Sequence, residues 1–151
     1  MSVNKSIIST KNKLPMCLYT KQIMPIKAKT NIVCFKVLRK YKHKTGWKKY
    51  ETPIMHMPIK MYIEIYANGN SKLPYPPNAY RPSGTPGIVS DGFIHAFTTM
   101  EKAQEWIKKS RMIFGPLVIA RCIIPKNTLY YISIDKDQIC AKCIKPIRII
   151  K

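Results

Sequence analysis

The stretch DGFIHAFTTMEKAQEWIKK, Asp91–Lys109, decides the fold. It begins as a strand and ends as a helix. In Phe93–Phe97 the residues alternate, so Phe93, His95 and Phe97 share one face. Gly92 permits the turn that leads into this short strand. The period then changes from two to 3.6. Thr98-Thr99-Met100-Glu101 matches a capping box, in which Thr98 accepts from first-turn N–H groups and Glu101 reaches back to Thr98. Such a cap contributes about 1 kcal/mol. Met100, Ala103, Trp106 and Ile107 recur at three- and four-residue steps, and their common face is expected to cover a sheet. Lys108 and Lys109 suit the negative end of the helix dipole.

Outward from this element the chain reads as strands. Ile32–Tyr41, IVCFKVLRKY, sets Val33, Phe35 and Val37 on one face and Cys34, Lys36 and Leu38 on the other. Both faces begin apolar and turn basic, as if the strand leaves the core. Ile59–Tyr66 alternates throughout, with Ile59, Met61, Ile63 and Ile65 on one side, and predicts a strand with one buried face. Leu117–Ile124 and Thr128–Ile134 flank a turn at Pro125-Lys126-Asn127. Ile139–Ile150 supplies a last extended stretch, bent or held at an edge by Pro146. Several strands with one clear amphipathic helix predict an α+β fold with a mostly antiparallel sheet; the connections are too short for a doubly wound fold. Residues 68–87 hold seven prolines and glycines from Pro74 to Gly87, plus Asn68-Gly69, and predict a long irregular central loop. The expected organisation is a basic arm or extended segment over 1–30 and one α+β domain over 31–151.

Charge is the strongest functional signal. The chain has 151 residues and a formal net charge of +20. Thirteen lysines and arginines precede Glu51, the first acid. The hydrophobic fraction is 46%, an ordinary globular level, so base has replaced acid on the surface while the core is retained. Self-repulsion on this scale opposes compaction unless an anionic partner screens it. Lys40, Tyr41, Lys42, Lys44, Trp47, Lys48 and Lys49 cluster around Gly46. Lysines release counterions from a phosphate backbone and rings stack on bases, so the expected partner is nucleic acid or an acidic protein surface. No helix-turn-helix, zinc-finger or ribonucleoprotein motif accompanies the cluster.

Other chemistries are weaker. The five cysteines are Cys17, Cys34, Cys122, Cys140 and Cys143, an odd set that argues against a disulfide framework and for a reducing, cytoplasmic compartment. Cys140-Ala-Lys-Cys143 lacks the two further ligands of a structural zinc site, so no metal and no cofactor are expected. His95, with Tyr75, Tyr80 and Arg81 from the central loop, is the candidate ligand pocket. A partly buried structural histidine is the competing reading of His95, and no catalytic residue is assigned. No phosphate-loop, dinucleotide, zinc-protease or nucleophile-elbow motif is present. No apolar run is long enough for a membrane span, and no secretory leader is read.

The segments MCLYTKQ (Met16–Gln22), VCFKVLRKY (Val33–Tyr41), DGFIHAFTTMEKAQEW (Asp91–Trp106) and VIARCIIPKNTLYYI (Val118–Ile132) resemble a small uncharacterised domain of gut Bacteroidales bacteria and their phages. The resemblance implies a compact α+β fold and a phage or gut-bacterial origin, and no established reaction. It makes a phage virion component, packed against an acidic subunit or genome, the alternative to a nucleic-acid-binding protein. A small nucleotide-processing enzyme using His95 is the third. The early basic strand and late strand pair are also similar to the ADP-ribosyltransferase fold. That fold's reaction needs a late glutamate, and only Asp135 and Asp137 follow Glu105 as acids.

Overall fold

A computed structural model of the chain describes residues 18–22, 24–42, 48–52, 58–67, 87–89 and 93–150. Twelve strands and one helix occur among them, and every strand pairing is antiparallel. The protein is α+β, with a mostly antiparallel sheet and, among the described residues, a single helix.

The centre of the sheet is β3 (Ile32–Lys42), the longest strand. One of its edges pairs with β9 (Leu117–Ile124) from Ile32↔Ile124 to Arg39↔Leu117. The other carries β8 (Ile94–Phe97) near Phe35 and β4 (Lys48–Glu51) from Arg39 to Lys42. The sheet extends beyond β8 through β11 (Gln138–Ala141), β10 (Leu129–Ile132) and β2 (Ile26–Lys27). It extends beyond β9 through β12 (Cys143–Ile149) and β6 (Ile65–Tyr66), while β5 (Pro58–Ile59) lies on β4. A separate pair joins β1 (Leu18–Thr20) to β7 (Gly87–Val89). Residues 18–30, expected as an arm or extended segment, thus supply β1 and β2, and Leu18 is fully buried. Of the expected central loop only Gly87, the start of β7, is among the described residues.

Alternation divides the core between the two faces. Cys34, Leu38, Ile94, Ala96, Ala120, Cys122, Ile124 and Ile139 form one buried cluster. The opposite face receives α1 (Met100–Phe114), where Ala103 sits against Val37 and Ile119. Met100, Trp106 and Ile107 flank that contact, with Trp106 tilted on Phe97 at 6.4 Å between ring centres. The face read from helical spacing is the buried one. Beside α1, Leu18 of β1 joins Phe93, Tyr131 and Cys140, and Phe93 meets Tyr131 edge-on at 5.1 Å.

Three local expectations are corrected. The helix is capped by Thr99, whose Oγ1 accepts from the Lys102 N–H at 3.3 Å. Thr98 is drawn away, its hydroxyl donating to the Lys136 carbonyl at 2.7 Å. The span Ile59–Tyr66 is not one strand. It ends as β5 at Ile59, turns, and resumes as β6 at Ile65. Tyr62 at the turn has φ 64°, and its N–H donates to the Pro146 carbonyl at 2.8 Å. That tertiary bond and the reversal override the alternation. The last stretch is likewise two strands, broken at Lys142, with β11 and β12 on opposite sides of β3 in the sheet order. Pro146 lies inside β12, between β9 and β6, at a register shift before Arg148. Asn127 adopts φ 74° in the expected turn, closed by the Thr128 N–H on the Pro125 carbonyl at 3.1 Å. The strands around that turn do not pair with each other; β10 pairs with β11 and β2 instead.

Candidate nucleic-acid interface

The basic cluster lies on the β3–β4 ribbon. Register pairs Arg39 with Glu51, Lys40 with Tyr50, Tyr41 with Lys49 and Lys42 with Lys48. Directly opposed residues of an antiparallel pair share a face. Lys40, Lys42 and Lys48 therefore occupy one face with Tyr50, and Tyr41 and Lys49 the other with Arg39 and Glu51. The ribbon forms because β-branched and aromatic residues carry β3 through its apolar half, after which pairing with β4 continues the strand into basic sequence. Lys40 and Tyr41 are half-buried. Lys44 and Trp47 lie outside the described residues.

Glu51 marks the root of the ribbon. Its carboxylate lies 4.0 Å from the Arg39 guanidinium, and from there to the tip the sequence contains only basic and neutral residues. The Lys42↔Lys48 register opposes two like charges, an arrangement that destabilises a strand pair.

Among the described residues, the neighbouring strands end before Lys42 and Lys48. On the β9 side the last partner is Pro116, whose carbonyl accepts from the Lys40 N–H at 3.0 Å. On the outer edge of β4, β5 reaches only Tyr50↔Ile59. Tyr50 packs on the core cluster of its face.

The second candidate group is not brought together. Tyr75, Tyr80 and Arg81 lie outside the described residues, whereas His95 is buried in β8 opposite Cys140. By the pleat His95 shares a face with Phe97, as the sequence indicates. Burial pushes the Cys140 thiol well up from its ordinary value, which keeps it neutral and a poor nucleophile. Cys140 and Cys143 fall on separate strands. The Cys143 Sγ donates to Glu64 Oε2 at 3.4 Å, and burial pushes that thiol up to about 12. Cys34, Cys122, Cys140 and Cys143 are all free thiols. Among the described residues no group of three or more histidines, cysteines and acids is arranged to hold a metal, and no helix is long and apolar enough to cross a membrane.

Sequence reasoning missed Lys36. It is 4% exposed, on the apolar-cluster face between Cys34 and Leu38, and its Nζ donates to the His95 carbonyl at 2.6 Å. Burial lowers its pKa to about 8, partly opposed by the neighbouring Cys122 and Cys34 thiols. The available signal was a lysine at a position where the alternation calls for an apolar residue. Compared with known proteins, the chain matches no family model, no curated protein and no solved structure.

Proposed function

We propose that the protein is a non-enzymatic basic protein that associates with nucleic acid without strong sequence preference, chiefly through the β3–β4 ribbon. The observation that carries the reading is the register Lys40–Lys42 against Lys48–Tyr50, which concentrates like charge beyond Glu51, the acid at the root of the ribbon. With a formal net charge of +20, the long-range field favours any polyanion, and lysines act as point charges on phosphates. Lysine contacts to phosphates supply affinity and orientation and carry no sequence information themselves.

The test is a titration against unrelated DNA and RNA sequences at rising salt. Binding is expected to vary little with sequence and to fall linearly on logarithmic axes. The slope measures the number of phosphates contacted, at about 0.9 per contact on duplex DNA. A Lys44→Ala, Lys48→Ala, Lys49→Ala variant is expected to keep its circular dichroism and show a shallower slope. Absence of binding at low salt would overturn the proposal and favour a structural protein seated on an acidic subunit.

A further inference from the structure

We propose that the sheet face beside α1, formed by β9, β12 and β6, binds single-stranded nucleic acid, with an unpaired base on Tyr66 and the phosphates on Arg121 and Arg148. The proposal rests on the nucleic-acid reading above for its partner class, and it names a different surface and a narrower partner. Three observations carry it.

First, strand pairing gathers two arginines and a ring on one face. Ile123 is opposed by Lys145, and Cys143 by Tyr66. Opposed residues share a face, and the pleat returns to it at every second position. These residues therefore stand on the side of the sheet that carries Val33 and Phe35, the β3 partners of Ile123 and Arg121. Strict alternation along β12 would send Arg148 to the opposite, core side with Ile144 and Pro146. The register shift between Pro146 and Arg148 re-aims it, so that it opposes Arg121 instead. The contact of α1 with Val37 and Ile119 lies one pleat further along β3 and β9.

Second, this face is exposed and positive. Arg121 and Arg148 are exposed, Tyr66 is 65% exposed and Val33 41%. Like charges directly opposed weaken a strand pair. Among the described residues, neither arginine has an acid within ion-pair distance. Guanidinium forks match phosphate oxygens in two-point contacts, and two forks side by side suit a phosphate backbone.

Third, the ring is held in place. The Tyr66 hydroxyl donates to Glu64 Oε2 at 2.6 Å, and the same oxygen accepts from Cys143 Sγ. A ring anchored at its tip loses little freedom when a base stacks on it. Glu64 places negative charge at this end, so the phosphates belong at the arginine end, roughly 15 Å away by strand spacing and rise. Tyr62, also exposed, is tied to the outer edge of β12 by its N–H on the Pro146 carbonyl. Rings at one margin and cations beside them suit a strand whose bases are free to stack on protein.

The experiment is fluorescence anisotropy on the full chain at one low salt concentration. The probes are a DNA strand, an abasic strand of the same length and the corresponding duplex. The base-bearing strand is expected to bind at least about fivefold tighter than the abasic strand, the lower end of what one stacked base contributes. Tyr66→Leu should remove most of that difference and keep the affinity for the abasic strand and the duplex. Changing Arg121→Gln and Arg148→Gln together should weaken both single strands, with thermal stability unchanged or raised because the opposed charges are gone. Photocrosslinking of a strand carrying 5-iodouracil, read by peptide mass spectrometry, should place an adduct on Tyr66. Equal binding of base-bearing and abasic strands, or an unchanged ratio in Tyr66→Leu, would overturn the platform; persisting duplex binding would leave the general nucleic-acid reading intact. Failure to bind any of the three would overturn both, and binding of poly-glutamate alone would assign the positive surface to an acidic protein.

Discussion

Replacing Lys36 with methionine is expected to stabilise the protein. Lys36 is buried among Cys34, Leu38 and Cys122, and its ammonium titrates at about 8, against an ordinary 10.5. At about 1.4 kcal/mol per pH unit, the protonated side chain costs the folded state about 3 kcal/mol at neutral pH. The 2.6 Å bond to the His95 carbonyl already contributes to that balance. Methionine is unbranched and similar in length, so Lys36→Met fills the site and removes the charge. Allowing for the lost hydrogen bond, the variant should gain about 2 kcal/mol at pH 7 in urea unfolding, with an unchanged m-value. The gain should depend on pH. The native protein loses this proton near pH 8, whereas the unfolded chain keeps it until about 10.5. Between those values the unfolded state binds more protons, so wild-type stability from this group rises with pH. The advantage of Lys36→Met should therefore be constant below pH 8 and shrink toward pH 10.5. Burial raises the Cys34 and Cys122 thiols, and their contribution runs the other way, lost as unfolded thiols ionise near pH 9. It is common to both proteins and cancels in the difference. A Lys36→Met protein that is less stable at pH 7, or a difference flat from pH 7 to 10, would refute the reasoning.

Other outcomes follow from single contacts. Thr99→Ala should cost about 1 kcal/mol of thermal stability by removing the helix cap at Lys102, while Glu101→Gln should stay within about 0.5 kcal/mol. Trp106→Ala strips the half-buried ring from Phe97 and should cost about 2 to 3 kcal/mol in denaturant unfolding, below the usual range for a fully buried ring. The Tyr66 hydroxyl donates to Glu64 Oε2 at 2.6 Å; together with the Cys143 thiol it lowers the Glu64 pKa, and the tyrosine itself is raised to about 12. Tyr66→Phe should move the Glu64 titration upward, as followed by carboxyl NMR. An unmoved titration would show that the tyrosine bond is not formed in solution.

How much was legible depended on the range of the interaction. The helix face was legible because Met100, Ala103, Trp106 and Ile107 repeat at a local period and meet whatever sheet lies beneath. Its cap was off by one residue because adjacent threonines are locally equivalent; the Lys136 carbonyl, remote in sequence, recruits Thr98. The alternation of Ile59–Tyr66 hid a turn, since the signal for it is a backbone bond to Pro146 and a tyrosine at positive φ. Lys36 stands with Cys34 and Leu38 on a face of β3 whose pattern turns from apolar to basic, and nothing in the sequence assigns it a separate role. Its carbonyl partner, His95, comes from β8 and its neighbour Cys122 from β9, and nothing within β3 specifies them. The basic ribbon was visible as composition, but its two-faced register arises from the long-range pairing of β3 with β4.

Lysine footprinting tests the central proposal most directly. The protein is pulsed with an acetylating reagent, free and with saturating duplex DNA, and each lysine is quantified by mass spectrometry. Lys40, Lys42, Lys48 and Lys49 should be protected by DNA, and the exposed Lys108 and Lys109 of the helix should react equally in both states. Equal acetylation of the ribbon lysines with and without bound DNA, or protection confined to the helix, would contradict the account.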